Sequence, residues 1–208
     1  MLDKIFSSAT ADQLKVLEKI SLLEEKKKGD IIFLEGDKPD FVYYLINGVV
    51  KIYKTTANNG KEVTLNYILP KAFIGEFAVF KRIDFPFSAE METDGEIIKF
   101  RSDEFLNLVR KSSDLSFEII QYMADKIKKN YEYCENLVEK NVRKKIAKFL
   151  KEHEDLFFKL NKNKIASILN VTPETFSRTL KEMKKEGLII ERTVVKINRE
   201  KLEDILIE

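Results

Sequence analysis

The sequence predicts an α+β fold with an N-terminal antiparallel β-roll, a long central helix and a C-terminal helical domain that ends in a β-hairpin. Three patterns predict this fold. Short apolar runs alternate with turn residues over 29–101, an apolar residue recurs every three or four positions over 117–138, and helix-start and helix-stop signals follow residue 141. The predicted domains are therefore 1–112, 113–140 and 141–208.

Composition indicates a soluble protein that can bury a core. The 208 residues, of which 44% are hydrophobic and 35% charged, suffice for one large or two small domains. No run of about 18 apolar residues occurs and the N-terminus lacks a signal-peptide core, so we expect a cytoplasmic protein without membrane contact. Cys134 and His153 are the single residues of their kinds, which excludes an intrachain disulfide and a metal site built only from these two types. No metal site is predicted.

Charge is distributed unevenly along the chain. Residues 140–199 hold 16 Lys and Arg against 7 Asp and Glu, whereas residues 1–139 hold 20 against 24. The first stretch therefore has nine excess positive charges and the second has four excess negative ones, although the whole chain carries only +2. This difference predicts that the C-terminal part alone contacts a polyanion; a solvated lysine-rich surface is the alternative.

The N-terminal part combines one helix with short strands. Thr10 and Gln13 have the spacing of a capping box, which predicts a helix over 10–20. Runs of aromatic and β-branched residues then alternate with turn residues, which is typical of a roll of about eight strands. Asn47-Gly48 separates FVYYLI from VVKIYK and predicts a hairpin between these two strands.

The central helix carries a narrow apolar seam. Its members are spaced three and four residues apart in strict alternation, with charged residues on both sides. A helix that packs only on its own domain usually has a broader stripe, so the seam favours a coiled coil between two copies of the chain. A helix buried against the roll is the alternative. Asn141, just beyond the seam, is the predicted hinge. The seam consists of Phe117, Ile120, Ala124, Ile127, Tyr131, Cys134 and Val138.

The C-terminal domain has the pattern of a winged helix-turn-helix. Residues 142–150 and 162–169 are predicted amphipathic helices, and residues 170–171 form a tight turn before a third helix. The run LIIERTVVKI (188–197) is a predicted β-hairpin that follows it. Two helices, a turn, a third helix and a hairpin are the elements of this motif.

The third helix has clear end signals. Thr172 is the predicted N-cap, with Pro173 at the first helical position, and the helix ends near Glu186 before Gly187. Its apolar side is predicted to pack on the preceding helix and consists of Phe176, Leu180 and Met183.

The polar side of the third helix is suited to contacts with double-stranded DNA. Glu174 and Arg178 lie one turn apart, where arginine can bind O6 and N7 of guanine and glutamate can accept from N4 of cytosine. An intrahelical Glu–Arg salt bridge is the alternative. The preceding helix, the turn, the hairpin and the basic charge favour DNA. Residues predicted to contact DNA phosphates are Lys162, Lys164, Thr172, Lys181, Lys184, Lys185 and Arg192.

Four stretches together resemble the cyclic-AMP receptor protein/fumarate-nitrate reduction regulator (CRP/FNR) family: GDIIFLEGDKPDFVYYLINGVVKIYK, FIGEFAVF, the seam helix and the third helix. The resemblance implies a sensor roll of the cyclic-nucleotide-binding type, a dimerisation helix and a DNA-binding domain. Glu174, Ser177 and Arg178 match the E-x-x-S-R pattern of the FNR-like branch, which implies base contacts at a TTGA-like palindromic site. Pro173 stands where the cyclic-AMP receptor branch has a DNA-contacting arginine, which favours the FNR-like site.

The resemblance also implies an effector pocket. Gly75 and Glu76 match the pair that holds the ribose and cyclic phosphate in cyclic-AMP binders. The Arg-Ser-Ala triplet expected about ten residues further on is Phe87-Ser88-Ala89 in this chain. Because a buried phosphate without its arginine leaves a charge uncompensated, at a cost on the order of several kcal/mol, we expect an effector other than cyclic AMP.

Some alternatives concerning the effector and cofactor stay open. Arg82 could replace the missing arginine. An iron–sulfur cluster needs several cysteines and is not predicted. Haem is possible, since some FNR-like regulators of nitric-oxide stress use it, but His153 falls in the DNA-binding half, so the ligand would be Cys134, a methionine, a tyrosine or a terminus. Cys134 is interpreted as a small seam residue, with a thiol switch as the alternative.

The predicted function is that of a homodimeric, effector-responsive transcription regulator. The effector, of unknown identity, would shift the orientation of the two domains through the seam helix, and RNA polymerase is an expected partner. An enzyme is not predicted, because one cysteine and one histidine offer no Ser/His/Asp or Cys/His set. A cyclic-nucleotide-binding module that regulates a partner protein is the alternative, although it leaves the exposed Glu174 and Arg178 unexplained.

Overall fold

The computed structural model describes residues 1–56, 60–138, 141–191 and 195–207. The chain divides into two compact units, residues 1–125 and residues 126–208, which are called the roll unit and the C-terminal unit. Among the described residues, no helix is both long and apolar enough to cross a bilayer.

The described part of the roll unit contains two four-stranded antiparallel sheets, as the alternating runs predict. Its strands are β1 (Ser21–Lys26), β2 (Ile31–Phe33), β3 (Phe41–Asn47), β4 (Val50–Thr55), β5 (Glu62–Ile68), β6 (Ala72–Ile74), β7 (Ser88–Met91) and β8 (Gly95–Arg101). One sheet has the order β1-β8-β3-β6 and the other has the order β2-β7-β4-β5.

The first strand begins earlier than the predicted start of the roll at residue 29. β1 has the sequence SLLEEK, in which apolar and polar residues do not alternate. It is nevertheless paired with β8 along its whole length, from Ser21 opposite Phe100 to Lys26 opposite Gly95. A strand held by a partner about 75 residues away has no local signature, so the sequence pattern missed it.

The predicted hairpin at Asn47-Gly48 is wrong. β3 pairs with β6 and β8, whereas β4 pairs with β5 and β7, so the chain crosses from one sheet to the other at this point. Gly48 has φ +91°, and a Cβ there would lie 2.9 Å from the carbonyl oxygen of Asp94 and 3.0 Å from Cα of Gly95. Asn-Gly therefore marks a real left-handed residue, but distant strands decide the pairing.

The roll encloses the first of the apolar cores described for the roll unit. Side chains from the facing sides of both sheets fill the interior. They are joined by residues of the segments that follow β6. The fully or nearly fully buried members are Phe33, Leu45, Val50, Ile52, Ile74, Ala78, Phe85, Ala89, Met91 and Ile97.

Helices cover the opposite side of the β1-β8-β3-β6 sheet. They are α1 (Leu2–Ile5), α2 (Ala11–Ile20), α4 (Ser102–Arg110) and the first half of α5 (Ser113–Val138), while α3 (Glu76–Lys81) follows β6. The predicted capping box of α2 is confirmed, since the N–H of Gln13 donates to Thr10 Oγ1 at 3.3 Å and the N–H of Thr10 donates to Gln13 Oε1 at 2.8 Å. The second core consists mainly of Phe6, Leu17, Val42, Phe73, Ile98, Phe100, Phe105, Leu115 and Ile119.

A carboxylate joins α5 to the N-terminal segment. Glu118 accepts from the hydroxyls of Ser7 and Ser8, both at 2.6 Å, and from their backbone N–H groups at 2.7 and 3.2 Å. Burial alone would raise the pKa of Glu118, but these hydrogen bonds outweigh it and leave the pKa below its ordinary value.

The C-terminal unit contains the predicted helices and hairpin. The structure assigns α6 (Val142–Glu152), α7 (Glu154–Lys159), α8 (Lys162–Ile168), α9 (Pro173–Lys185), β9 (Ile189–Glu191), β10 (Val195–Ile197) and α10 (Arg199–Ile207). Helices α7 and α10 were not predicted from the sequence. Leu202 and Ile205 of α10 are buried, and α10 packs against α6.

Replacing Glu118 by Gln should destabilise the protein by about 1 kcal/mol at pH 7, after allowing for partial solvent exposure. Because the folded-state pKa of Glu118 is lowered, its contribution is present above the unfolded pKa, near 4.5, and is lost as pH falls through the folded value. The difference in free energy of unfolding between E118Q and wild type should therefore shrink below about pH 4. Urea titrations at several pH values measure it.

Glu25 offers a matched control. It is exposed on β1, so E25Q should leave the free energy of unfolding nearly unchanged at every pH. A pH-independent loss of stability in E118Q would show that shape, and not the carboxylate charge, is responsible.

Candidate functional site

The third predicted helix, α9, begins and ends as its sequence indicates. Thr172 Oγ1 accepts the N–H of Thr175 at 3.2 Å, and Pro173 occupies the first turn. Helix α9 ends at Lys185, and Gly187 follows with φ +76°. These ends fix the length and the rotation of the helix about its own axis.

The two sides of α9 differ sharply in exposure. Phe176, Leu180 and Met183 are buried, and Phe176 faces Phe157 at 6.4 Å between ring centroids. The opposite side exposes Glu174, Ser177 and Arg178, which are called the reading face.

The intrahelical salt bridge considered as an alternative for the reading face is not formed. Glu174 and Arg178 form no ion pair with each other or with any other described residue. Both charged groups thus stay available at one turn's separation, about 5–6 Å between Cβ atoms.

The residues predicted to contact phosphates lie before and after the reading-face residues along the chain, and they differ in exposure. Thr172 is exposed, as are Lys162, Lys181 and Lys185, while Lys164 and Lys184 are half-buried. Arg192 lies outside the described residues. The exposed ammonium groups can neutralise phosphate charge without reading the base sequence.

A polar depression between α8 and α9 was missed by the sequence reasoning. It has a volume of about 420 Å³, and Asn170 in its wall has φ +51°. Amide and hydroxyl groups can hydrogen-bond to phosphate oxygens. The only local signal was the concentration of Asn and Ser around the turn. Its wall consists of Asn163, Ser167, Asn170, Val171, Thr172 and Pro173.

In the roll unit, the predicted pocket residues lie near one another but are largely buried. Gly75 has φ +68° and precedes α3, and Glu76 is only 2% exposed. Ser88 Oγ accepts the N–H of Glu35 at 2.9 Å, and Ala89 is fully buried. The Ser88 hydroxyl is therefore already used by the protein's own backbone.

Aromatic rings fill the space above Gly75. The Phe85 ring stacks on Phe33 with centroids 3.8 Å apart and an angle of 11° between planes. A Cβ on Gly75 would lie 2.7 Å from Phe85 Cε1, so the ring touches the glycine backbone directly. The ring centroid of Phe87 lies 6.0 Å from that of Phe33 and 5.7 Å from that of Phe77, so Phe87 and Phe77 extend the aromatic cluster.

Backbone bonds and an ion pair hold the segment that carries Phe85. The N–H of Phe85 donates to the carbonyl of Asp37 at 2.9 Å, and the N–H of Gly36 donates to the carbonyl of Phe85 at 2.8 Å. Lys38 Nζ lies 2.8 Å from Asp84 Oδ1. Arg82 is exposed and lines a groove with Lys38 and Asp84, on the outside of this segment.

Comparisons with known proteins agree with both halves of this geometry. Residues 23–112 match the family model of a cyclic nucleotide-binding domain, and residues 144–205 match that of a Crp-like helix-turn-helix domain. The chain belongs to the CRP/FNR family of transcription regulators. Its α+β fold, predicted from sequence, is confirmed.

Individual CRP/FNR relatives match along most of the chain. The regulatory protein HlyX of Actinobacillus pleuropneumoniae is 27% identical over 194 residues, which cover 86% of this chain and 80% of HlyX. The cyclic AMP receptor protein of Thermus thermophilus is 23% identical over 166 residues, 78% of this chain and 76% of that protein. These relatives are regulators and not enzymes. The structure of FixK2 from Bradyrhizobium japonicum shares the fold, with a TM-score of 0.70, 18% identity and coverage of 89% and 97%.

In this CRP/FNR protein, Tyr122 of α5 contacts the strand that leads to the predicted pocket. Its hydroxyl accepts the N–H of Phe73 at 2.8 Å, and the two rings meet edge to face at 5.0 Å. Burial, and then the charge of Glu76, raise the pKa of Tyr122, so the phenol stays protonated at neutral pH. Since Phe73 lies two residues before Gly75, a change there can reach α5 through one side chain.

Helix α5 has two apolar sides. Leu115 and Ile119 are buried in the second core of the roll unit. The described seam residues are instead exposed, with Phe117, Ile120, Ile127 and Tyr131 between 56% and 69% exposed and Ala124 also exposed. The alternative in which the roll buries the seam is therefore wrong for Phe117, Ile120 and Ala124, the seam residues within the roll unit. The side chains of Cys134 and Val138 lie outside the described residues.

His153 lies in the C-terminal unit between α6 and α7. Its ring is 5.3 Å from that of Phe149, and its Nε2 is 3.9 Å from Glu152 Oε2. It is therefore far along the chain from the aromatic cluster. Among the described residues, no group of three His, Cys, Asp or Glu side chains could hold a metal ion.

Proposed function

We propose that this DNA-binding regulator acts as a homodimer that reads a TTGA-like palindrome and responds to an effector other than cyclic AMP. Residues 1–112 would form the effector domain, 113–140 the dimerisation helix and 141–208 the DNA-binding domain. One observation supports the proposal most directly: the exposed, mutually unpaired Glu174 and Arg178 near the start of the capped helix α9.

Base recognition follows from the chemistry of these two side chains. Helix α9 would lie in the major groove with its N-terminal half toward the bases. Arg178 would donate both arms of its guanidinium to O6 and N7 of a guanine, while Glu174 would accept from N4 of a cytosine. Ser177, between them on the same face, would donate to or accept from a neighbouring base.

Phosphate contacts would fix the position of α9 without contributing sequence information. The exposed Lys162, Lys181 and Lys185 would neutralise phosphates, together with Lys164 and Arg192. Thr172 and the amides of the neighbouring depression can bind phosphate oxygens as neutral donors. The protein would thus combine a salt-dependent and a salt-independent set of contacts.

Dimerisation supplies the second half-site. The exposed seam of α5 presents large apolar side chains at positions a and d of a heptad, which is the requirement for a two-stranded coiled coil. A twofold dimer would place two copies of α9 about 34 Å apart, one turn of DNA. RNA polymerase is the expected further partner, and a DNA-binding regulator of this type would act in the cytoplasm.

The aromatic cluster supports an effector other than cyclic AMP. Phe85 occupies the space directly over Gly75, and Phe87 stands in the sequence where the resemblance implies an arginine for the phosphate. A cyclic phosphate would have to displace an aromatic stack and remain without a counter-charge in an apolar interior, which is strongly unfavourable. An effector that acts here would shift the cluster, and the contact between Phe73 and Tyr122 would transmit the shift to α5.

Arg178→Ala should weaken binding to a TTGA-type palindrome by about 1–3 kcal/mol and relax the preference at one base pair. Fluorescence anisotropy with the palindrome and single-base variants measures this. Lys181→Ala is the matched control: it should weaken binding to all sequences alike and reduce the salt slope by about one. Unchanged palindrome binding by R178A would refute the base-reading assignment.

The wild-type chain should sediment as a dimer at micromolar concentration, and Ile120→Asp should shift it toward monomer because two carboxylates would meet in an apolar seam. Lys128→Asp is a control on the same helix outside the seam and should remain dimeric. Wild-type protein that sediments as a monomer at micromolar concentration would remove the coiled-coil proposal.

Titration calorimetry with cyclic AMP should show no binding to this protein, because Phe87 replaces the arginine expected for the cyclic phosphate and Phe85 fills the space over Gly75. The cyclic AMP receptor protein of Thermus thermophilus serves as a positive control under the same conditions. Micromolar affinity of this chain for cyclic AMP would contradict the proposed change of effector.

A further inference from the structure

Two cations from other helices meet at the end of α9 that is remote from the reading face. The guanidinium of Arg143 forms a bidentate (two-armed) salt bridge with the Glu186 carboxylate, in which Nη1 donates to Oε1 at 2.7 Å and Nη2 donates to Oε2 at 2.6 Å. Lys201 Nζ donates to the backbone carbonyl of the same residue. Glu186 is the C-cap of α9, so both cations act on its C-terminal end.

Arg143 is held in place by the start of α6. The Asn141 side chain accepts the N–H of Arg143 at 3.0 Å and that of Lys144 at 3.3 Å, which caps the helix. The side chains of Arg143 and Glu186 are 31% and 49% exposed. Although half-exposed pairs contribute little to stability, a two-armed arginine–carboxylate contact has a defined geometry and can therefore orient what it joins.

Lys201 is positioned independently by α10. Asn198 accepts the N–H of Lys201 at 3.2 Å and donates its own N–H to the carbonyl of Leu188 at 2.8 Å. The side chains of Leu202 and Ile205 on α10 are buried. An ammonium group at the C-terminal end of α9 also interacts favourably with the helix dipole. The C-terminus of α9 is thus held by contacts with both α6 and α10.

The position of this end matters because a small tilt of α9 displaces the two ends of the helix relative to each other. From Arg178 to Glu186 the helix extends about 12 Å, at 1.5 Å per residue. A tilt of about 10° about the buried contacts would move one end relative to the other by roughly 2 Å. Two-armed recognition of a guanine tolerates displacements of only about 0.5 Å. The buried side chains of α9 resist separation from the core, while polar contacts at the end resist tilt and rotation.

We propose that Arg143 and Lys201 are positioning residues that set the angle of α9 through Glu186 and thereby determine sequence specificity without touching DNA. This inference rests on the proposed function, because it requires that the reading face contacts bases. Arg143 would then not act as a phosphate contact, although it lies in the basic part of the chain.

Glu186→Gln separates positioning from simple electrostatics. The substitution keeps the size of the side chain and removes one negative charge from the DNA-binding unit. Electrostatics alone predicts tighter binding to all DNA. A positioning role predicts that the ratio of palindrome affinity to random-sequence affinity falls by about tenfold, which corresponds to about 1.4 kcal/mol. The affinity for random sequence should stay equal or rise. Anisotropy titrations with both DNAs measure the ratio.

Arg143→Gln tests the same contact from the other side. If Arg143 is a positioning residue, its replacement should lower the affinity ratio by a similar factor and leave the salt slope unchanged. Loss of a phosphate contact would instead reduce the salt slope by about 0.9. The exchanged pair R143E/E186R should recover most of the ratio, although each single reversal loses it. Recovery also shows that the loss in the single variants is not a failure to fold.

The outcomes distinguish this inference from the proposed function. If R178A loses palindrome binding while E186Q and R143Q keep the wild-type affinity ratio, the positioning inference is overturned and the reading assignment stands. If R178A binds the palindrome normally, the reading assignment itself is wrong. An exchanged pair with no recovery, or an R143Q salt slope lower by about 0.9, would also overturn the positioning role.

Discussion

The need of one sheet to bury both of its sides organises the roll unit. One side of the β1-β8-β3-β6 sheet closes the interior of the roll, and the other side requires the helical layer around Phe6, Phe100 and Phe105. The first half of α5 completes this layer through Leu115 and Ile119. Because that side of α5 is already used, the seam residues within the roll unit, Phe117, Ile120 and Ala124, are left exposed. The exposure of the apolar side chains proposed for the coiled coil is therefore explained by a constraint on the sheet.

Aromatic side chains fill the interior of the roll next to the predicted effector pocket. Gly75 keeps the left-handed conformation that allows a ligand close to the backbone, yet the Phe85 ring uses that approach. Two backbone hydrogen bonds hold the ring's segment in place. An apolar, self-filled interior cannot compensate a phosphate, whereas Tyr122 still links the neighbouring strand to α5. The proposed change therefore concerns the effector, while the contact between Tyr122 and Phe73 still joins α5 to the strand before Gly75.

In the C-terminal unit, buried and polar contacts have separate tasks. Phe176, Leu180 and Met183 bury one side of α9 and leave the reading face outside. Apolar packing is not directional, so it tolerates small tilts of a helix. Hydrogen bonds between Arg143, Lys201 and Glu186 have direction, and they act at the end of α9 where a small rotation has the largest effect. Specificity can therefore depend on residues outside the reading face.

The sequence by itself determined the fold class, the caps of α2 and α9 and the division of α9 into apolar and polar sides, because these depend on residues within a few positions of one another. It failed at β1 and at Asn47-Gly48, where strands from distant parts of the chain decide the pairing. Only the tertiary structure showed that Phe85 covers Gly75 and that Arg143 reaches Glu186. Such contacts join residues with no shared period, so their presence is decided by the packing of whole elements.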